Sequence, residues 1–185
     1  MPQQKNSKLI NRRRLLLASA NIALGLVIAS PLEILARSIP DHKISFFNTH
    51  TEEHFNLCFN GRTCNPVAKK KLFSFLRDFR TGDVHPIDFR LMDILLKIQR
   101  ETGSKGIYEV ISGYRSPKSN QMLRSSSNGV AKKSLHLKGR AIDIRLSDLP
   151  TKELRDVALS LKAGGVGYYA QSDFVHIDTG RVRSW

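Results

Sequence analysis

Apolar and polar positions alternate along "KISFFN" (43–48) and "HFNLCF" (54–59), a period of two that predicts two strands joined by "THTEE". From Asn65-Pro66 the period lengthens to that of a helix. Asn is the cap, Pro sits in the first turn, and Leu72, Phe73, Leu76 and Phe79 form one apolar face. Gly82 and Pro86 end it. Residues 88–101 repeat the pattern through Leu91, Met92, Leu95, Leu96 and Ile98, closing at Gly103. "IYEVIS" reads as a strand, and "GYRSPKSNQMLRSS" as a turn leading into a short helix. A strand from about Arg140 to Leu146 follows, then a helix in "PTKELRDVALSLKAGG" with Leu154, Val157, Ala158 and Leu161 at helical spacing. "VGYY" and "FVHID" are two last strands around "AQSD". The order predicts a single α+β domain: a mostly antiparallel sheet with helices packed on one face and a functional site on the other.

The first 36 residues follow neither pattern. Arg12, Arg13 and Arg14 precede sixteen uncharged residues and then Pro31. A basic segment before an apolar one is the layout of an export signal, and adjacent arginines suggest the twin-arginine type. The run is marginal for a spanning helix of about 20 residues, so an uncleaved anchor is the alternative. Residues 1–36 are thus read as signal or anchor and 37–185 as the working domain, placed in the periplasm or cell envelope. The whole chain carries a net charge of +14; residues 1–36 hold five basic residues and one acidic one, leaving +10 for the rest. Such a surface attracts anionic polymers or headgroups. Its positive residues are scattered rather than gathered on one helix, which argues against a nucleic-acid partner. Membrane contact is expected only if the N-terminal segment is retained. Cys58 and Cys64 flank an Asn-Gly turn signal, and in an oxidising compartment they could form a disulfide, with two free thiols as the alternative.

In "SLHLKGRAIDI" (134–144), a carboxylate stands between Ile142 and Ile144. A buried carboxylate needs a partner, because an unpaired buried charge is very costly. Strand alternation puts Ile142, Ile144 and Leu146 on one face and Asp143 on the other. The same alternation in "FVHID" sets Val175 and Ile177 against His176 and Asp178. With both aliphatic sets in the core, Asp143 and His176 emerge together, and His136 can fold over them ahead of the Gly139 turn. Two imidazoles and a carboxylate from separate segments make a three-ligand site of the kind catalytic zinc uses, with a fourth position left for water. The matching chemistry is amide hydrolysis, since zinc both activates water and polarises a carbonyl.

A base must take the water's proton. Asp173 is three residues before His176 in the turn, and Asp178 is two residues after it, where it could instead orient the ring. Arg115, in "SGYRS", could bind a substrate carbonyl or oxyanion, or it could simply pair with Asp143. Tyr168 and Tyr169 alternate faces; one belongs to the core, and Tyr168 is assigned to the cleft. "HTEEH" (50–54) matches an inverted zinc-protease motif, but that motif needs a helix, and strand alternation through Phe55, Leu57 and Phe59 opposes one.

"SGYRS", "SLHLKGRAID" and "DFVH" together resemble the zinc peptidases of bacterial cell-wall peptides, the family of VanX-type dipeptidases, VanY-type carboxypeptidases and murein endopeptidases. The resemblance implies one zinc ion per chain held by His136, Asp143 and His176. It also implies a substrate-polarising Arg115, a serine near the substrate at Ser134, and a catalytic acid at Asp173. The dipeptidase branch has glutamate at that last position, one methylene longer. The implied substrate is the stem peptide of peptidoglycan, cleaved by a monomer. Cross-link hydrolysis is expected; carboxypeptidase trimming uses the same chemistry, and a non-catalytic, zinc-stabilised murein-binding module would keep the ligands without the base.

Overall fold

The computed structural model describes residues 42–59, 64–126 and 129–185, and the expected export segment and the Asn60-Gly61 turn lie outside them. Among the described residues there are seven strands, β1 (His42–Asn48), β2 (His54–Phe59), β3 (Tyr108–Ser112), β4 (Ala141–Leu146), β5 (Gly165–Tyr169), β6 (Phe174–Asp178) and β7 (Arg183–Ser184). The α-helices among them are α1 (Pro66–Phe75), α2 (Arg90–Thr102), α3 (Pro117–Ser126) and α4 (Thr151–Ser160). The local signals act as their chemistry requires. Asn65 caps α1 by accepting from Val67 N at 2.8 Å, and Gly103 ends α2 in the left-handed conformation. Helix α1 stops earlier than its apolar pattern predicts: Leu76 is its cap, and Phe79 lies beyond it, stacked on His50 at 3.8 Å.

The strands form one sheet in the order β2-β1-β3-β4-β6-β5-β7. This sheet is mixed, not mostly antiparallel as predicted, because β1 runs parallel to β3 and β5 parallel to β7. Sequence neighbours joined by hairpins must run antiparallel, whereas β1 and β3 are separated by β2, α1 and α2. A crossover of that length allows the parallel arrangement.

One face of the sheet presents Ile44, Phe46, Tyr108, Val110, Ile142, Ile144, Val175 and Ile177, none more than 1% exposed. They share one core with Leu72 of α1, Leu95 of α2 and Leu154 of α4, and each such burial contributes about 1.5–3 kcal/mol. The fully buried Tyr108 donates its hydroxyl to the Leu95 carbonyl at 2.7 Å, so no polar atom of that ring is stranded. The opposite face of β4 and β6 carries Asp143, His176 and Asp178. A register shift between Val110 and Ser112 sets Ser112 opposite Asp143, so a strand that is core at Val110 delivers a hydroxyl to the other face.

Cys58, exposed on β2, and Cys64, half-buried ahead of α1, are free thiols. Glu52 in the β1–β2 turn has φ of 57° and His54 lies in β2, so "HTEEH" has no helix on which to build a metal site. Among the described residues, no helix is long and apolar enough to cross a membrane.

The turn before β4 depends on Gly139. Its φ is 60°, and a Cβ there would overlap the carbonyl oxygen of Pro86. Gly139→Ala is expected to cost about 1–3 kcal/mol in backbone strain alone and to displace His136 just upstream. Urea unfolding together with a metal-binding titration measures both; an unchanged midpoint with unchanged binding would refute this account of the turn.

Candidate metal centre

His136 sits in a short 3-10 turn, Leu135–Lys138. Ser134 caps that turn by accepting from His136 N at 3.3 Å, and Arg115 N donates to the His136 carbonyl at 3.2 Å. The turn is thereby tied to the loop that follows β3. Asp143 and His176 are direct cross-strand partners in the antiparallel β4–β6 pair. His136 and Asp143, seven residues apart, thus meet the distant His176, and all three are buried.

The spare nitrogen of each imidazole sets its orientation. His136 Nδ1 lies 2.7 Å from the Gly113 carbonyl oxygen, which can only accept, so that nitrogen carries the proton and Nε2 presents a lone pair. His176 Nε2 lies 3.1 Å from Asp178 Oδ2, which leaves Nδ1 facing the centre. His136 Nε2, His176 Nδ1 and Asp143 Oδ1 then form a triangle with edges of 3.2, 3.2 and 2.7 Å. Donors about 2.0–2.2 Å from a tetrahedral ion stand about 3.3 Å apart. The two longer edges match that spacing, and the short one is a hydrogen bond that a proton on His176 supplies. A lone pair on His136 facing a carboxylate oxygen is repulsive unless something positive lies between them. The donor set therefore fits a divalent cation.

The electrostatics agree. Burial pushes His136 down, keeping it neutral. Burial also opposes charge on His176, but hydrogen bonds to Asp143 and Asp178 overcome it and push the imidazole up to about 9. For Asp143, burial is outweighed by the hydrogen bond and positive charge of His176, which hold its carboxyl well below the usual range. Arg115 Nη2 lies 3.5 Å from Asp143 Oδ2 and 3.4 Å from Ser112 Oγ, while its buried Nε has no protein partner among the described residues.

A cavity of about 660 Å3 opens over the triad, lined by Arg115, Ser134, Tyr169, Phe174 and Trp185 among others. The candidate bases are placed unequally. Asp178 is fully buried and its oxygens are already engaged: Arg183 donates to both, at 3.1 and 2.6 Å, and the Gly165 and Gly180 amides donate to Oδ1. Asp173 adjoins β6 on a turn with φ of 49°. Its Oδ1 accepts from Thr151 Oγ1 at 2.6 Å, and it lines a neighbouring cavity of about 720 Å3 with Glu109, Arg145 and Tyr168. Tyr168, expected in the cleft, pairs with Val175 on the helix-facing side of the sheet and lies under Arg155 of α4. Tyr169 takes the cleft position instead, because strand alternation puts it with His176. Registering β5 against His176 would have assigned the pair correctly. Trp185 had no sequence signal, since the two-residue β7 is too short to announce itself.

A buried two-histidine, one-aspartate cluster under an open cavity is a candidate divalent-metal centre of the kind that metal-dependent hydrolases use. The family model described as peptidoglycan L,D-endopeptidase MepK, of the M15 peptidases, matches residues 37–185, and the chain belongs to that family. It is 42% identical over 175 residues to the peptidoglycan L,D-endopeptidase MepK of Escherichia coli strain K12, covering 94% of this chain and 96% of that one. The Shigella flexneri protein of the same name matches equally, and the probable peptidoglycan L,D-endopeptidase MepK of Haemophilus influenzae is 42% identical over 177 residues, covering 94% and 95%. The resemblance read from the motifs is thus correct, and the chain is a hydrolase of peptide bonds.

The raised His176 and lowered Asp143 predict a definite pH profile for protein stripped of metal by a chelator. A histidine raised to about 9 adds stability that is complete below its unfolded value near 6.5 and is lost as pH rises through about 9. A depressed carboxylate adds stability that is present above about 4 and is lost as pH falls. Neutral His136 adds stability that is lost as pH falls below about 6.5, so urea midpoints of stripped protein should be highest near about pH 6.5 and decline on both sides. A flat profile from 6.5 to 9 would show that His176 is not protonated in the fold.

Proposed function

We propose that this chain is an exported, zinc-dependent murein endopeptidase that hydrolyses L,D peptide cross-links between stem peptides. The observation that carries the reading is the triad with both imidazoles pre-oriented toward Asp143. Zinc held by His136 Nε2, Asp143 and His176 Nδ1 would supply a hydroxide nucleophile near neutral pH and a Lewis acid for the scissile carbonyl. Arg115, its Nε free and its head beside Asp143, binds that carbonyl and the negative charge that develops on it. Ser134 stands at the cavity wall, where its hydroxyl faces the substrate backbone. Asp178 keeps His176 Nε2 engaged and so holds Nδ1 in the ligand direction. This is a positioning role, since a carboxylate with both oxygens occupied has no capacity to take a proton.

Asp173 is the base in this reading. It is exposed and adjoins the strand of His176, and to act on the cleft its side chain would turn away from Thr151 and Arg145. The export-type N-terminus supports action in the periplasm, and the three donors come from one chain, so a monomer suffices. The name carried by the relatives favours cross-link cleavage over trimming of a terminal residue.

Purified sacculi incubated with zinc-loaded protein, with and without chelator, should lose L,D-cross-linked dimers only when metal is present. Intact dimers beside shortened monomers would make the enzyme a carboxypeptidase, and intact products despite bound zinc would leave a binding module. The two acids separate in the same assay. Asp173→Ala should lower kcat by about 10²–10⁴-fold with zinc affinity unchanged. Asp178→Asn should weaken zinc affinity by about 10–100-fold. The reverse pattern would exchange their roles.

A further inference from the structure

Trp185 is the only tryptophan in the chain, and it is held in place more firmly than a surface residue requires. Its carbonyl accepts from Tyr168 N at 3.0 Å, and its own N–H donates to Val166 O at 3.3 Å. Its indole Nε1 donates to Tyr169 Oη at 2.9 Å. The Arg183 guanidinium lies 4.7 Å from its ring centroid, on the side chain that also grips Asp178. Gly167 leaves room for the ring, since a Cβ there would come within 2.6 Å of it. Despite these restraints half of the residue stays exposed, and its ring centroid lies 5.2 Å from that of His176. Tyr169 and Phe174, stacked at 4.5 Å, extend the same aromatic surface along the cavity, which Arg115 and Lys133 also line.

We propose that the Trp185 indole is a substrate-binding wall that takes the methylene arm through which one stem peptide is cross-linked to the next. The inference rests on the murein-peptidase reading above. A cross-link needs an aliphatic arm carrying an amide, between backbones bearing carboxylates. A fixed apolar strip beside the metal centre, with cations on the same cavity, complements that chemistry. An aromatic ring gives contact area at low conformational cost, because only two side-chain torsions are ordered and here they are ordered beforehand.

The single tryptophan makes the test direct. On mixing zinc-loaded wild-type protein with a cross-linked dimer, Trp185 emission should change and then relax as the dimer is consumed. Trp185→Ala should raise KM about five- to tenfold with kcat nearly unchanged, and Trp185→Phe should recover most of the loss. Zinc affinity should stay within about twofold in both, which a merely structural role would not preserve. The same effects are expected with peptide dimers freed of their sugars. Turnover without an emission change, or a KM effect confined to sugar-bearing substrate, overturns the inference while leaving the enzyme reading intact. If Trp185→Ala does not fold, wild-type emission and Trp185→Phe decide. If the wild type cleaves no dimer at all, both readings fall.

Discussion

A carboxylate at the centre of the sheet, Asp143 on β4, is the constraint to which the local architecture answers. It is 5% exposed, and a charge so placed must be compensated or it will protonate. Three cations or potential cations converge on it: His176 from the adjacent strand, His136 from the turn before its own strand, and Arg115 from the loop after β3. Each is fixed by an unrelated part of the backbone, so compensation is available only when the whole arrangement has formed. The geometry that stabilises Asp143 thereby gathers two imidazole nitrogens and an oxygen into one triangle. Folding and the binding of a metal at such a triangle would share a single requirement, which is positive charge at this point.

That requirement explains the roles of the glycines and the bulge. Gly113 offers its carbonyl to His136, and its own Cα packs so closely on Leu76 that a side chain would overlap the backbone there. The bulge at residues 110–112 turns Ser112 toward Asp143 and sends the following chain toward Arg115. Gly165 and Gly167 face Asp178 and His176 on β5, and their missing side chains leave room for Arg183 and Trp185. The site is therefore carved by absent side chains on one strand as much as by ligands on its neighbours.

Much of this was legible in the sequence. Period-two alternation put Asp143 and His176 on one face because each is flanked by aliphatic residues that must be core, and the register of β4 against β6 then made them partners. The helices were readable because their caps, Asn65 and Gly103, act locally. What escaped notice was non-local. The parallel pairing of β1 with β3 and of β5 with β7 leaves no mark in either strand, since it depends on the length and path of the intervening chain. The choice between Tyr168 and Tyr169 depended on where β5 registers against β6, which alternation within β5 alone does not fix. The separation of the two acids was hidden for the same reason. Asp173 and Asp178 are similar residues near His176, but one lies on a left-handed turn leaning toward α4 and the other is sealed in the sheet.

The position of β7 carries the last step. A parallel strand beside β5 requires the chain to cross back after β6, and residues 179–182 make that return. Arg183 arrives there paired to Asp178, which is paired to His176, and Trp185 arrives on the cavity side of the same imidazole. One two-residue strand thus fixes both the Nε2 side of His176 and the wall proposed for substrate. Such an edge strand has few hydrogen bonds of its own. Its place is secured chiefly by the ion pair with Asp178, so the edge and the centre hold each other in place.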